Sequence, residues 1–126
     1  MESEANKTQV GGDHYGALEY QHWDWVCDIK LHYLLACATK YVVRWRQKNG
    51  AEDLRKAIHY IEKAKERSVY AEPEWANSAD THRFCRPLPF VDFLAVAYAC
   101  IGDYDEAIGC ISRLLAAEQP PEEPTP

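Results

Sequence analysis

Lys40, Arg44 and Lys48 recur at four-residue steps in the segment 31–48, LHYLLACATKYVVRWRQK. On a helix this spacing lines three cations along one face, beside the apolar stripe. Lys40 is the unusual member, because it sits in LLACATKYVVRW, where a solvated stem is least expected. A cation in such a stretch either extends its ammonium to water or meets an anion. Arg44, one turn on, would grip a phosphate through two parallel hydrogen bonds, with Lys40 as a point charge. In the next segment Asp53, Lys56 and Tyr60 share a face. A hairpin of the two segments would therefore gather four polar groups and a phenol along one groove. The bland alternative is a surface network of Lys40 and Arg44 with Asp53, worth little energetically.

A second cluster lies at Val10–Gly16, VGGDHYG, which joins Gly11 and Gly12 to Asp13, His14 and Tyr15. No strand-like run precedes it and no Gly-Lys-Ser or Gly-Lys-Thr follows, so it is either a turn that opens a domain or one wall of an anion site. Trp23, Trp25, Tyr41 and Trp45 could stack on a nucleobase, but aromatic residues at helical spacing are more often core. His22, His32, His59 and His82 are scattered without an H-E-x-x-H pair and read as structural. Glu62 and Glu66 form one acidic pair with no second, so a metal site is poorly supported. The chain contains no P-loop, no G-x-S-x-G and no dinucleotide-binding glycine motif, which excludes a conventional P-loop kinase.

The 126 residues are 47% hydrophobic and 12% aromatic, enough for one domain with a real core. No apolar run reaches the roughly 18–20 residues of a membrane span, and the polar start MESEANKTQ has no secretory character. Five cysteines (Cys27, Cys37, Cys85, Cys100 and Cys110) without a C-x-x-C pair read as reduced, small hydrophobic residues in a cytoplasmic protein. The net charge of −6 is unevenly spread: residues 40–67 carry +5, so the rest carries −11. One basic segment in an acidic chain suits a local anionic ligand better than a long nucleic-acid track.

These groups have to be positioned by helices. Segment 19–29 sets Tyr20, Trp23 and Val26/Cys27 at helical spacing. Segment 31–48 runs Leu34, Leu35, Ala38, Tyr41, Val42 and Trp45 along one stripe and ends at Asn49–Gly50, where glycine can take the left-handed conformation. Segment 51–68 follows with Leu54, Ala57, Ile58, Ile61 and Ala64, acids first and cations last, as the helix dipole favours. The expected fold is all-α, a small bundle of two helical hairpins with disordered termini at 1–9 and 118–126. A core at 10–68, a linker with one short helix at 69–89 and a second hairpin at 90–117 complete it. That last hairpin resembles a single tetratricopeptide repeat through Ala97, Gly102, Tyr104 and Ala107. One copy cannot build a solenoid, so the hairpin packs on its own domain or on another subunit, and self-association is expected.

GGDHY, followed by ATKYVVRWRQKNGAEDLRKAIHYIEK, resembles the SaV-like family of small tailed-bacteriophage proteins over about residues 10–66. That family of unknown function shows a G-x-H-Y start, a K-Y-x-x-R-x-x-x-K core and an E-D-L-x-K-A-x-x-Y-L helix. His14, Tyr15, Lys40, Tyr41, Arg44, Lys48, Asp53, Leu54, Lys56, Ala57 and Tyr60 fall on its recurring positions. One member is described as a nucleotide kinase without a Walker motif. The resemblance implies a nucleotide or other phosphorylated ligand and the cytoplasm of an infected bacterium. If the chain is a kinase, ATP would be the phosphoryl donor, with Mg2+ as its companion. On this reading His14, Lys40, Arg44 and Asp53 would form the catalytic set. Gly11, Gly12, Tyr15, Tyr41, Lys48, Lys56 and Tyr60 would contact ligand. Gly11 and Gly12 would bring backbone N–H groups to an anion, and His14 would donate to phosphate or carry a proton. Asp53 would orient Arg44 or Lys56, or receive the acceptor's proton. Ala36 and Cys37 replace the family's usual Gly-Asn, and Gly16 stands where a lysine often follows. Two alternatives stand beside this: capture of a signalling nucleotide without turnover, which would use the same cationic face, and docking to a host protein through the C-terminal hairpin at 90–117.

Overall fold

The computed structural model describes residues 20–118, and every regular element among them is helical. The elements are α1 (His22–Ile29), α2 (Tyr33–Arg44), α3 (Ala51–Glu66), α4 (Pro73–Asn77), α5 (Ala79–Cys85), α6 (Phe90–Cys100) and α7 (Tyr104–Glu118). The all-α bundle built on two hairpins is as expected. The first hairpin is α2–α3 and the second α6–α7; α3 packs on α7 and α2 on α6, while α1 and α5 pair at one side.

Each helix carries its own start and stop. α1 opens on a capping box in which the Gln21 backbone N–H donates to Asp24 Oδ2 at 3.3 Å, and it closes where Lys30 turns left-handed at φ +55°. His32 starts α2 by accepting the Leu34 N–H on Nδ1 at 3.1 Å, a capping role that its residue type does not advertise. Leu35, Ala38, Thr39 and Val42 form the buried side of α2; Leu54, Ala57, Ile61 and Ala64 form that of α3. Gly50 sits between them at φ +56°, a backbone shape that disfavours any side chain. In the second hairpin Gly102 takes φ +84°, and a Cβ there would come within 3.0 Å of Ala71 Cβ.

Three expectations change. α2 ends at Arg44, not at residue 48; the chain turns over 45–50, and Lys48 lies exposed on that turn. α1 buries His22, Trp25 and Ile29, whereas Trp23 is half exposed and Cys27 exposed. The helix is rotated because Trp25 stacks on Phe84, with centroids 4.5 Å apart and planes 5° from parallel, and donates its indole N–H to Thr81 Oγ1 at 2.9 Å. Residues 69–89 hold two short helices instead of one, and Trp75, Thr81, Phe84 and Cys85 from them are buried. Pro73 occupies the first turn of α4 and Ser78 caps α5 by accepting the Thr81 N–H, so the prolines and polar residues of this stretch are helix punctuation. The expectations for residues 1–9 and 119–126 lie outside the described residues.

Candidate functional site

The cations of α2 and α3 meet around one phenol. Tyr41 presents its ring to Arg44 Cζ at 4.7 Å, Lys40 Nζ at 5.3 Å and Lys56 Nζ at 5.4 Å from the centroid. Tyr60 stacks beside it, 5.8 Å away and 21° from parallel. Lys40, Tyr41 and Arg44 come from the last turns of α2; Lys56 and Tyr60 come from adjacent turns of α3. Each pair is one helical step apart, so an antiparallel hairpin brings them together without any special loop.

Asp53 lies beneath this face. It is fully buried, and its Oδ1 accepts from Arg44 Nη2 at 3.3 Å while its Oδ2 accepts the Asn49 backbone N–H at 3.2 Å. The carboxylate thus holds the 45–50 turn closed and fixes Arg44. Asp53 thus contacts Arg44 and not Lys56, and it is buried away from the surface. Lys56 has a loose partner in Glu52 at 3.7 Å, with side chains 41% and 63% exposed. Lys40 has no carboxylate within ion-pair distance among the described residues.

An open hollow of about 410 Å3 lies on the α3 side of this cluster, lined by Tyr41, Glu52, Arg55, Lys56, His59 and Tyr60. Glu52, Arg55 and His59 were missed in the sequence, although they sit within four residues of Lys56 on the same helix. Tyr33 and Cys37 extend the face along α2. The Cys37 thiol raises the Tyr60 phenol above its ordinary range, helped by burial, and a hydrogen bond with Cys37 does the same for Tyr33. Tyr60 therefore stays a hydroxyl, a donor as well as an acceptor, at neutral pH. Trp25 and Trp45 are core residues and offer no stacking surface. Gly11, Gly12, His14 and Tyr15 lie outside the described residues.

Charge elsewhere is structural. Asp92 is buried in the first turn of α6 and accepts from the Trp45 indole at 3.1 Å and from Arg46, tying the end of α2 to the second hairpin. All five cysteines are free, and burial pushes Cys85 up to about 11 and Cys100 to about 12. Those two, with Cys110, are inert thiols in the core. No group of three or more His, Cys, Asp or Glu able to hold a metal occurs among the described residues, and no helix among them is long and apolar enough to cross a membrane.

Residues 12–62 match the family described as protein of unknown function (DUF3310), a phage-associated domain. The matched segment contains α1, α2 and most of α3, and with them every described residue of the cationic face. No curated protein and no solved structure matches the chain.

Proposed function

We propose that the α2–α3 face binds a phosphorylated small molecule, a nucleotide, in a bacteriophage protein that works in the cytoplasm of its host. The observation that supports it is the convergence of Lys40, Arg44 and Lys56 on Tyr41, where, among the described residues, only Arg44 is neutralised by a buried acid. Three cations around one ring repel one another. Cation–π contact offsets part of that cost, and an anion set among them would offset far more. In this reading Lys40 and Lys56 hold phosphate oxygens, Arg44 stays anchored by Asp53, and the Tyr60 hydroxyl donates beside them. Resemblance of residues 10–66 to phage proteins that include a nucleotide kinase narrows the anion from phosphate in general to a nucleotide.

Phosphoryl transfer between ATP and a deoxynucleoside monophosphate is the second reading, and it rests on that resemblance. Positioning and charge neutralisation are most of what the reaction needs. Glu52 is the one carboxylate lining the hollow and it faces Lys56. The described residues therefore do not make a protein-held Mg2+ site, and a metal ion would come in on the nucleotide phosphates.

Calorimetric titration with nucleoside mono- and triphosphates tests the binding. Lys40→Met and Lys56→Met should each weaken it about tenfold or more, since a hydrogen bond to a charged group contributes about 1.5–3 kcal/mol. Both side chains are surface-reaching, so the fold should survive. Arg44→Ala is the poorer test, because it leaves the Asp53 charge buried and uncompensated, at a cost of about 3–5 kcal/mol of stability. Equal affinity in the Lys40→Met/Lys56→Met double variant would sink the assignment. Chromatography of the same mixtures separates capture, which returns the ligand intact, from transfer, which yields diphosphate.

A further inference from the structure

The outer side of α6 is apolar from end to end. Asp92, its only charged residue, is turned into the core together with Ala95, Val96, Ala99 and Cys100. Phe93, Leu94, Ala97, Tyr98 and Ile101 lie three, four, seven, eight and eleven residues along from Phe90, one stripe on the opposite side, and Phe90 is 72% and Ile101 56% exposed. A helix that is apolar all round is normally enclosed on all sides. Among the described residues α6 packs against α2, α4 and α7, and its remaining side is left uncovered.

The two ends of this strip differ, and they complement each other. At the N-terminal end His82, Cys85, Arg86, Leu88, Phe90 and Phe93 line a hollow of about 450 Å3. At the C-terminal end Ile101 projects as a knob. The charges follow the same polarity: His82 and Arg86 line the hollow, while Asp103 and Glu106, both exposed, follow Ile101 in the chain. Ala97 keeps the middle of the strip low.

From this we infer that α6 is the centre of a two-fold homodimer, in which the α6 helices of two copies pack antiparallel. Each Ile101 enters the partner's hollow beside Phe90, each Ala97 meets a Leu94, and the basic end of each strip faces the acidic end of the other. A two-fold interface must be complementary to itself, and an antiparallel arrangement meets that condition with these residues. A parallel pair would stack Phe90 on Phe90 and set like charges together. The absence of charge at the centre with charge at the rim is the usual anatomy of a protein interface. Eleven residues of helix span only about 16 Å, a short seam, so the dimer forms with rising concentration. It leaves the Lys40–Tyr41–Lys56 face open.

Sedimentation velocity of the full chain tests this. The wild type should shift with concentration from the 14.5 kDa of one chain towards twice that mass, and added salt should weaken the shift. Phe90→Lys and Ile101→Glu change exposed side chains, so each variant should keep its helical circular dichroism and sediment as a monomer. Mixed together they should associate again, because Lys at 90 of one copy faces Glu at 101 of the other. A wild type that stays monomeric at the highest attainable concentration would overturn the proposal and leave the face to a different protein. So would a Phe90→Lys protein that dimerises undiminished. Monomeric variants that fail to recover on mixing would overturn the antiparallel register.

Discussion

The His22 imidazole is enclosed by Trp25 and Phe84, with ring centroids at 5.7 and 5.8 Å. Thr39 directs its hydroxyl hydrogen to the Leu35 carbonyl at 2.8 Å, so its oxygen accepts from His22 Nε2–H, also at 2.8 Å. Burial, and secondarily the charge of Lys40, lower the pKa of His22 to about 4 from an ordinary value of 6.5. Between these values the unfolded chain binds the extra proton and the folded chain does not. Stability is therefore full above pH 6.5 and falls as the pH drops towards 4, by about 3 kcal/mol. Urea unfolding at a series of pH values should show this slope, and His22→Gln should flatten it. An unchanged slope would mean that other groups carry the acid sensitivity. The Lys40 and Lys56 variants belong to this scale as well, since what they test is the local charge around Tyr41.

Among the elements, the short helices α4 and α5 matter most for their size. Phe84 is 3% exposed and forms the stack that sets the rotation of α1. Phe84→Ala should cost about 3–5 kcal/mol, the usual penalty for truncating a buried ring. A chemical-denaturation midpoint that barely moved would show that residues 73–85 behave as a tether. The helical period of 31–48 and 51–68 was readable because each carries one apolar stripe. Residues 69–89 were not, because α4 and α5, five and seven residues long, are shorter than the two turns or more that make a period visible. α1 has the same difficulty. The spacing of Tyr20, Trp23 and Val26/Cys27 pointed to one face, and contacts with Phe84 and Thr81, more than fifty residues later, turn Trp25 inward instead.

At the level of the whole molecule, the segment that matches the family does not hold a complete core. α3 packs against α7 and α2 against α6, and Lys65 of α3 reaches Asp105 of α7 at 2.7 Å. A fragment ending at Ser68 would expose the buried stripes of both helices. It should unfold without cooperativity and lack near-ultraviolet dichroism, whereas the full chain should unfold in one sharp transition. A cooperative fragment would make the second hairpin an accessory to an independent domain. By itself the sequence determined the all-α class, the two hairpins and the turn at Gly50, because periodicity, capping and a positive φ are local properties. It also set Lys40 and Arg44 on one helix face and Lys56 and Tyr60 on another, faces that one antiparallel hairpin can join, while Tyr41 was read as part of the apolar stripe. The tertiary structure alone decided that Asp53 is buried beneath Arg44, that α2 stops at Arg44 short of Lys48, that Trp25 and Trp45 are core and that, among the described residues, one apolar side of α6 is left uncovered. Each of these depends on which surfaces are brought into contact, and burial is a property of the packed chain that no local spacing contains.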